Sequence, residues 1–480
     1  MKKRLRISVS VVLVFVMLTA TMAGSASALF GYNMSPEQWD THWQEYSSDG
    51  SALYLAPGSD SSEMNFSWLG TSEDNNPAVY VRPFLSFGEY SEFTGVCVKL
   101  NDSLFSYKVT VTGLQPNTTY LYYYVSNAEE SEVNTFQTAR ADSFSAIYVS
   151  DIHISFSEEN PDNLKNTSFE LNKVFAQAYE KNTDVSIILS AGDQADHGLL
   201  CEYSGVFSSP VIRNIPMATT CGNHDYKETV YASVTNNPNR YNGKQPLAAD
   251  RNGGDYYFVK GDVLFLYINS NWTSANDHYD FVKQAVEANP DVKWRVVVMH
   301  HDLYGGHLEN RESENRLLRL MFVPIFDEFG IDVVFMGHSH VFSRSHVMYG
   351  GNIATDITGN NYVTDANGTI YITTGSTCRP RGDVSPGSSA IAFDHVSGED
   401  CIYNIIDFTY DTITVNSYIK DQNEPFEVFT LGKTSNEGGH PDYAQNELYY
   451  MVGNIGTIVS IFQNLSYILE KIFAALAITL

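Results

Sequence analysis

Potential metal ligands follow five short apolar stretches in the middle of this chain. They are Asp151 and His153, Asp193, Asn223, His300, and His338 with His340. Carboxylate, amide and imidazole groups together suit divalent or trivalent transition metals such as Fe, Mn or Zn, and seven ligands exceed what one such ion accepts beside a substrate. The pattern therefore predicts a centre of two metal ions, and Asp193 is the best candidate for the carboxylate that bridges them.

Two ions roughly 3.5 to 4 Å apart can stabilise both the attacking and the leaving oxygen of an in-line phosphoryl displacement. This chemistry requires all the ligands at one place. The sequence between the ligands indicates which secondary-structure elements bring them together. Short β-branched or aromatic runs precede the ligands, at residues 144–150, 185–190, 217–220, 294–299 and 332–336, and a sixth run at 369–374 ends without a ligand. Helix-like stretches lie between them, at residues 163–181, 280–288 and 312–329.

Alternating strands and helices of this kind predict an α/β layered domain. The carboxyl ends of such strands meet at one edge of a sheet, which is where active sites lie. Ahead of this domain, from about Ser51 to Thr138, apolar residues recur with period two and predict an all-β sandwich. Its segment from Leu114 to Tyr120 resembles the tyrosine corner of fibronectin type III modules.

The ligand motifs, in their order along the chain, resemble those of the calcineurin-like binuclear metallophosphoesterase superfamily. They are D-x-H at 151–153, G-D-x-x-D at 192–196, G-N-H-D at 222–225, M-H at 299–300 and G-H-x-H at 337–340. The resemblance covers roughly residues 143–429 and implies a four-layer α/β/β/α sandwich. It also implies that one metal takes Asp151, His153, Asp193 and His340, and the other Asp193, Asn223, His300 and His338.

An all-β domain ahead of such a domain is similar to the architecture of purple acid phosphatases. In those enzymes the first motif lacks its histidine, and a tyrosine three residues after the second aspartate binds iron and gives the colour. Here His153 is present and Asp196 stands at the tyrosine position. The comparison implies an ordinary D-x-H site on a purple-phosphatase-like architecture, without purple colour or an obligatory ferric ion.

Residues beside the ligands are candidates for catalysis and substrate binding. The family resemblance implies that His224 stays free near the phosphate, where it could protonate the leaving oxygen, with Asp225 fixing its tautomer. His301 and His307 are candidate substrate-facing histidines, the alternative being exposed loop residues. Arg344 is a candidate partner for a substrate oxygen or, alternatively, a member of a salt bridge at the rim. Asp225 could alternatively be a simple turn residue.

The two ends of the chain predict export and an appended helix. Residues 1–28 have a basic start, an apolar run and a small-residue cleavage site, which is typical of a signal peptide; an uncleaved membrane anchor is the alternative. Residues 29–140 then form the N-terminal domain, 141–432 the catalytic domain, and 433–480 a linker with an amphipathic helix. That helix could dock on its own chain, a partner or a membrane surface, and the protein is expected to be secreted or at the cell surface.

The net charge of -27 disfavours a nucleic-acid polymer as partner, because it repels phosphate backbones. Five cysteines permit two disulfides and one free thiol. The expected function is hydrolysis of a small-molecule phosphate ester by a hydroxide held at the two metals, as a phosphomonoesterase. A phosphodiesterase or nucleotidase would use the same site. A catalytically inactive surface adhesion or scaffold protein is the alternative of another class, which the presence of every ligand disfavours.

Overall fold

The computed structural model of the chain describes residues 31–73, 76–126, 129–140, 142–241, 253–305, 312–380, 388–395 and 398–434. The predicted signal peptide and the predicted C-terminal helix lie outside these ranges. Within them, none of the helices combines the length and the apolar character that crossing a membrane requires.

In the described residues, the N-terminal part consists of one helix and nine strands. They are α1 (Pro36–Asp49), β1 (Tyr54–Pro57), β2 (Met64–Gly70), β3 (Ala78–Pro83), β4 (Ser91–Thr94), β5 (Val96–Asn101), β6 (Leu104–Val111), β7 (Thr119–Ser126), β8 (Glu129–Glu130) and β9 (Asn134–Gln137). One sheet has the order β1-β2-β6-β5, and the other has the order β4-β3-β7-β8 with β9 also paired to β7.

The two sheets enclose a core that includes Phe66, Trp68, Tyr107 and Tyr122, as the period-two pattern requires. The all-β prediction is confirmed. At the corner predicted from the sequence, the backbone N–H of Gln115 donates to the Tyr120 hydroxyl over 2.7 Å. Kinship with fibronectin type III modules stays a prediction.

Helix α1 precedes the sandwich in sequence but packs on the second domain. Its Trp39 indole donates to the Lys165 carbonyl over 3.1 Å and stacks on Phe169, and the Tyr46 hydroxyl donates to the Ser204 carbonyl over 2.7 Å. The sequence prediction placed these residues in the all-β domain and did not include the helix. The predicted domain boundaries otherwise stay predictions.

The second domain alternates strands and helices. In order, they are β10 (Ser143–Val149), α2 (Asn163–Lys181), β11 (Val185–Ser190), α3 (Leu200–Phe207), β12 (Met217–Thr219), a 3-10 turn (Asp225–Lys227), α4 (Tyr231–Val234), β13 (Tyr256–Lys260), β14 (Val263–Ile268), α5 (Ala275–Ala288), β15 (Trp294–Met299), α6 (Glu312–Glu328), β16 (Val333–Met336), β17 (Phe342–Ser345), β18 (Val347–Tyr349), β19 (Asn352–Thr355), β20 (Tyr362–Thr364), β21 (Ile370–Thr373), β22 (Ile391–His395), β23 (Ile402–Thr409), β24 (Thr412–Ile419) and β25 (Glu427–Gly432).

Two mixed sheets of seven strands each form the centre of this domain. Their orders are β12-β11-β10-β23-β24-β25-β20 and β13-β14-β15-β16-β21-β17-β22. Between the sheets lie side chains such as Tyr148, Leu189, Val298 and Phe335. The outer face of the first sheet packs against α2 and α3, and that of the second against α5 and α6. The four-layer α/β/β/α prediction is confirmed.

The ligand-bearing strands are buried on both faces, which explains their continuous apolar runs. β10, β11 and β12 are parallel in the first sheet, and β14, β15, β16 and β21 are parallel in the second. Their carboxyl ends therefore face the same edge of the domain. All three predicted helices are found, and α5 begins five residues before its predicted start because the Ser274 side chain caps it by accepting from the Asp277 N–H.

Candidate metal centre

The seven predicted ligands come together at this edge. Ligand atoms of Asp151, His153 and His340 lie within 4.8 Å of one another, and so do those of Asp151, Asp193 and His300. Around His300 Nε2, Asn223 Oδ1 lies at 3.1 Å and His338 Nδ1 at 3.2 Å. Asp193 lies between the two groups, because its Oδ2 is 3.8 Å from His153 Nε2 and 3.3 Å from His300 Nε2.

An unusual backbone conformation presents these side chains. Asp151, His153, Asp193, His338 and His340 all have positive φ, between 50° and 71°. Residues with side chains avoid this left-handed region, and each such residue costs about 1–3 kcal/mol. These residues lie where the chain leaves β10, β11 and β16 and turns.

Two glycines allow the ligand loops to approach each other. A Cβ at Gly222 would lie 2.1 Å from Asp193 Oδ1, and a Cβ at Gly337 would lie 1.8 Å from Ser150 Oγ. Both distances are far below van der Waals contact. The glycines of G-N-H-D and G-H-x-H are therefore required by packing between loops.

The first group has the geometry of an ion site. His340 Nδ1 lies 3.2 Å from the Arg379 carbonyl, to which it can only donate, so Nε2 of the neutral ring is a bare acceptor. That atom lies 3.1 Å from His153 Nε2 and 3.2 Å from Asp151 Oδ1. The buried Oδ1 of Asp151 accepts no hydrogen bond from the described residues. Acceptors that face one another in this way fit a cation between them.

The second group also directs ring nitrogens and oxygens at one another. His300 Nδ1 donates to the Ala191 carbonyl over 2.9 Å, which turns Nε2 towards the site. There it lies 3.3 Å from Asp193 Oδ2. Asn223 Oδ1 and His338 Nδ1 complete the group at the distances given above. Two nitrogens and two oxygens form a donor set that suits Fe, Mn or Zn.

Charge within the cluster is strongly coupled. Burial by itself raises the pKa of Asp193, but His300 and His153 hold it at about 2. Burial lowers the pKa of His300, while Asp193 outweighs this and raises it to about 9. Burial is the main cause that lowers the pKa of His153. Asp193 is thus held in the ionised form that binds metal, and His300 would release its proton when a metal ion takes its place beside Asp193.

Asp196 lies behind the first group and does not face the ion site. Its Oδ1 is 3.4 Å from His153 Nδ1 and 3.1 Å from His224 Nδ1, and its Oδ2 pairs with Arg379 Nη1 and accepts from Ser155 Oγ. Burial raises its pKa, but hydrogen bonds from His153, His224 and Arg379 hold it well below its usual range. Asp196 thereby orients a ligand histidine and His224 together.

His224 lies beside the first group, since one of its ring nitrogens is within 4.8 Å of ligand atoms of His153 and Asp193. Its Nδ1 is 2.7 Å from the Asp196 carbonyl. Asp225 was expected to fix this tautomer, and here the structure corrects the prediction. The Asp225 carboxylate instead accepts hydrogen bonds from the N–H groups of 194, 195 and 222 and from the Tyr203 hydroxyl. It holds two ligand loops together, and Asp196 takes the role at His224.

The structure gives a different result for each of the three predicted substrate-binding residues. His301 lies at the site, where its ring is 4.5 Å from that of His338 and its Nδ1 is 2.8 Å from Ser270 Oγ. His307 lies outside the described residues. For Arg344 the prediction of a substrate contact is wrong: its guanidinium forms a buried ion pair with Glu427 at 2.8 Å and lies over the Phe429 ring. This pair is inside the protein and not at a rim.

Two site residues were missed. Arg379 lies after β21, the strand that is not followed by a predicted ligand, and no sequence pattern there pointed to function. Asp302 is fully buried and accepts from the N–H groups of Tyr304 and Gly305 and from Ser339 Oγ. Its position directly after His300 and His301 was the sequence feature that could have identified Asp302 as a site residue.

Comparison with known proteins agrees with this geometry. Residues 145–342 match the calcineurin-like phosphoesterase family, and residues 51–138 match the purple acid phosphatase N-terminal domain. Purple acid phosphatase 1 of Ipomoea batatas is 28% identical over 163 residues, which are 32% of this chain and 33% of that protein. The uncharacterized protein Rv2577 of Mycobacterium tuberculosis is 24% identical over 385 residues, 70% of each chain.

Among solved structures, purple acid phosphatase PPD1 from yellow lupin seeds superposes with a TM-score of 0.64 at 13% identity, covering 82% of this chain and 77% of that one, which is a likeness of fold. The matched segments span about a third of the Ipomoea protein and 44% of a purple acid phosphatase from Glycine max. Residues 145–342 are thus similar to calcineurin-like phosphoesterases, and residues 51–138 to the N-terminal domain of purple acid phosphatases.

Proposed function

We propose that this chain is an exported, metal-dependent phosphomonoesterase that hydrolyses small-molecule phosphate esters. The observation that carries the proposal is the set of buried ring nitrogens and carboxylate oxygens facing one another, led by His153 Nε2 and His340 Nε2 at 3.1 Å. Without a cation, such an arrangement of buried lone pairs would be repulsive. The match to calcineurin-like phosphoesterases supports the same chemistry.

The residues divide into two ligand sets that share Asp193. Asp151, His153 and His340 with Asp193 would hold one ion, and Asn223, His300 and His338 with Asp193 the other. When bound, two such ions supply an activated water and neutralise charge that develops on the phosphoryl group. The metal identities, Fe, Mn or Zn, belong to the proposal.

His224 is proposed to protonate the leaving oxygen. Its Nδ1 is engaged by Asp196, which leaves Nε2 as the nitrogen that can serve the substrate. Burial lowers the pKa of His224, but Asp196 and Asp193 outweigh this and raise it. Lys227, whose Nζ lies 3.0 Å from Nδ1, acts against this rise. His301, beside His338, is proposed to contact the phosphoryl oxygens, and His307 remains a sequence-based candidate for the same role.

Metal analysis combined with mutagenesis tests the proposal. The purified protein, loaded with Mn, Zn or Fe salts, should hold close to two ions per chain and hydrolyse an aryl phosphate. Asp193→Asn should lower both metal content and rate, whereas His224→Ala should lower the rate and keep the metal. Asp184→Asn, at the exposed Asp184 that pairs with Arg140 at 3.8 Å, is the control. Wild-type rates in both site variants would refute the assigned roles, and a metal-free native protein would favour the inactive scaffold.

Two further measurements address the finer parts of the proposal. Rates on a mono-aryl and a bis-aryl phosphate should differ in favour of the monoester, and the reverse order would indicate a phosphodiesterase. For export, the N-terminal sequence of protein recovered from the culture medium or cell surface should begin just after residue 28. Recovery of the intact N-terminus would point to the anchor instead.

A further inference from the structure

Cys378 and Cys401 lie on two segments that meet at the edge of the sheets that carries the predicted ligands. Cys378 follows β21 of the second sheet, and Cys401 directly precedes β23 of the first, which runs antiparallel to β10. The backbone N–H of Ile402 donates to the Ser376 carbonyl over 2.9 Å, so each cysteine is within two residues of a hydrogen bond that joins the segments. The Arg379 N–H donates to Ser376 Oγ over 3.0 Å, which turns the first segment back at Cys378.

The two half-buried thiols share one environment. The Lys420 N–H donates to the Cys401 carbonyl over 2.9 Å, and Lys420 Nζ pairs with Glu170 Oε2 at 2.5 Å. Burial raises the pKa of Cys378 well above its ordinary value, and the neighbouring Cys401 and Glu170 raise it further. Burial also raises the pKa of Cys401, whereas Lys420 acts against that rise. The other three cysteines lie elsewhere, on β5, on α3 and two residues after β12.

We propose that Cys378 and Cys401 form a disulfide that ties the first sheet to the second at the ligand edge. The bond would close a loop of about two dozen residues and thereby restrict the unfolded chain. Its occurrence in the cell rests on the proposed export, because disulfides persist in oxidising compartments. Its formation in the purified protein requires neither bound metal nor phosphatase activity.

The oxidant is a low-molecular-weight disulfide such as oxidised glutathione. The Cys401 thiolate attacks one glutathione sulfur, the S–S bond of glutathione breaks, and one glutathione leaves as a thiolate. The Cys378 thiolate then attacks the Cys401 sulfur and releases the second glutathione. The two thiol protons pass through solvent to the two glutathione thiolates. The protein is oxidised by two electrons, and glutathione is reduced by the same two.

The bond would restrain a segment that holds two proposed ligands. The carbonyl of Arg379, next to Cys378, accepts from His340 Nδ1 over 3.2 Å, and Ser376 Oγ donates to the Asp151 carbonyl over 2.7 Å. A restraint at Cys378 therefore acts on the ring of His340 and on the backbone of Asp151. Oxidation should for this reason slow the release of bound metal.

The test of the bond is peptide mapping of the full-length protein after equilibration with reduced and oxidised glutathione and blocking of free thiols. Trypsin cleaves after Arg381, so Cys378 and Cys401 leave on separate peptides unless a disulfide joins them. An excess of oxidised glutathione should give the joined peptide, and Cys378→Ser or Cys401→Ser should each remove it. Cys97→Ser, at a cysteine of the all-β domain, is the matched control and should keep it. Absence of the joined peptide from the wild type, or pairing with another cysteine, would overturn the proposal.

Metal release tests the restraint on the centre. The oxidised wild type, loaded with Mn, should lose its metal to a chelator at least about threefold more slowly than the reduced wild type. The double variant Cys378→Ser/Cys401→Ser should show no difference between the two conditions. Equal rates in the oxidised and reduced wild type would overturn the restraint.

Failure of the proposed function gives a different result. A protein that binds no metal and cleaves no phosphate ester, but gives the joined peptide, would refute the phosphatase and support the disulfide. Protein recovered from the culture medium or cell surface should already contain the joined peptide. Free thiols in that protein would overturn the bond's occurrence in the cell, even where the purified protein forms it with glutathione.

Discussion

Ser339 donates a hydrogen bond from its Oγ to Oδ2 of the buried Asp302. Ser339 lies between His338 and His340, and Asp302 lies two residues after His300. The bond therefore joins two loops that carry three of the proposed ligands. The other oxygen of Asp302 accepts the N–H groups of Tyr304 and Gly305, so the carboxylate is fully engaged in fixing these loops.

Asp302→Asn should lower metal affinity or kcat/KM by about 10–100-fold, the usual effect of losing an outer partner of a metal ligand. The amide retains an oxygen for Tyr304 and Gly305 but presents an NH₂ group to Ser339. Metal titration and steady-state kinetics measure the effect. Ser339→Ala removes the same bond from the other side, and the double variant should be no worse than the more damaging single one. Additive losses would show that the two residues act separately.

Gly337→Ala should destabilise the protein by about 1–3 kcal/mol or more, as overpacking of a tight interior does. The new methyl group would meet Ser150 Oγ at 1.8 Å and Asp151 Oδ2 at 2.6 Å. Urea unfolding measures the change. Gly88→Ala is a matched control because the nearest atom to its Cβ would be Ser86 Oγ at 3.4 Å. Equal stability of the two variants would contradict the close approach of the loops.

Asp327→Asn should stabilise the protein at neutral pH. Burial raises the pKa of Asp327 to about 6, against one hydrogen bond from the Gly350 N–H. The folded state therefore binds the proton more tightly than the unfolded chain, whose carboxyl has a pKa near 3.9, and the wild type loses stability as pH rises through about 4 to 6. The free energy of unfolding of Asp327→Asn should exceed that of the wild type by on the order of 2 kcal/mol at pH 7.5 and by little at pH 4. Denaturant unfolding of both proteins between pH 4 and pH 7.5 measures this difference. A difference that does not change with pH would contradict the raised pKa of Asp327.

His278→Gln should have the opposite pH profile. Buried His278 places Nδ1 2.6 Å from Asp255 Oδ2 and Nε2 2.7 Å from the Trp272 carbonyl, so both nitrogens donate in the charged ring. Burial lowers its pKa, but Asp255 outweighs this and raises it above the ordinary value. The stabilisation that the His278–Asp255 ion pair contributes is then fully present below about pH 6.5, the pKa of an unfolded histidine. It is lost as pH rises through the raised pKa of folded His278.

The free energy of unfolding of the wild type should exceed that of His278→Gln by on the order of 3 kcal/mol at pH 6, which is the scale of breaking a buried ion pair. The difference should be smaller at pH 9.5. Denaturant unfolding at the two pH values decides it. His395→Gln serves for comparison, because the His395–Asp400 pair is partly exposed and should contribute below about 1 kcal/mol. A gap that widens at high pH would contradict the charged pair.

Much of the site could be predicted because it depends on local pattern. Buried parallel strands give continuous apolar runs, and the residues after them must meet at one edge; the ranges predicted for β11, β15 and α2 agree with the structure. Helix α1 was missed although Ser35 and Gln38 form a capping box with Pro36 at its start. Its apolar face packs on another domain and gave no clear helical period.

The errors share a physical cause, since they concern contacts between residues distant in sequence. Arg344 finds its partner Glu427 83 residues away, and no local pattern links them. Asp225 adjoins His224 in sequence, but the 3-10 turn that starts there directs its carboxylate to residues 194 and 195. Arg379 reaches Asp196 only through the juxtaposition of β21 with the first sheet.

The left-handed backbone at five ligand residues also bears on how such a domain could evolve. At about 1–3 kcal/mol each, these conformations burden the metal-free fold, and bound ions compensate for them. Glycine at any of these positions would relieve the backbone cost but remove a proposed ligand. Asp151, His153, Asp193, His338 and His340 therefore carry a backbone cost that glycine would avoid, and the proposed metal binding is what these side chains would contribute in return.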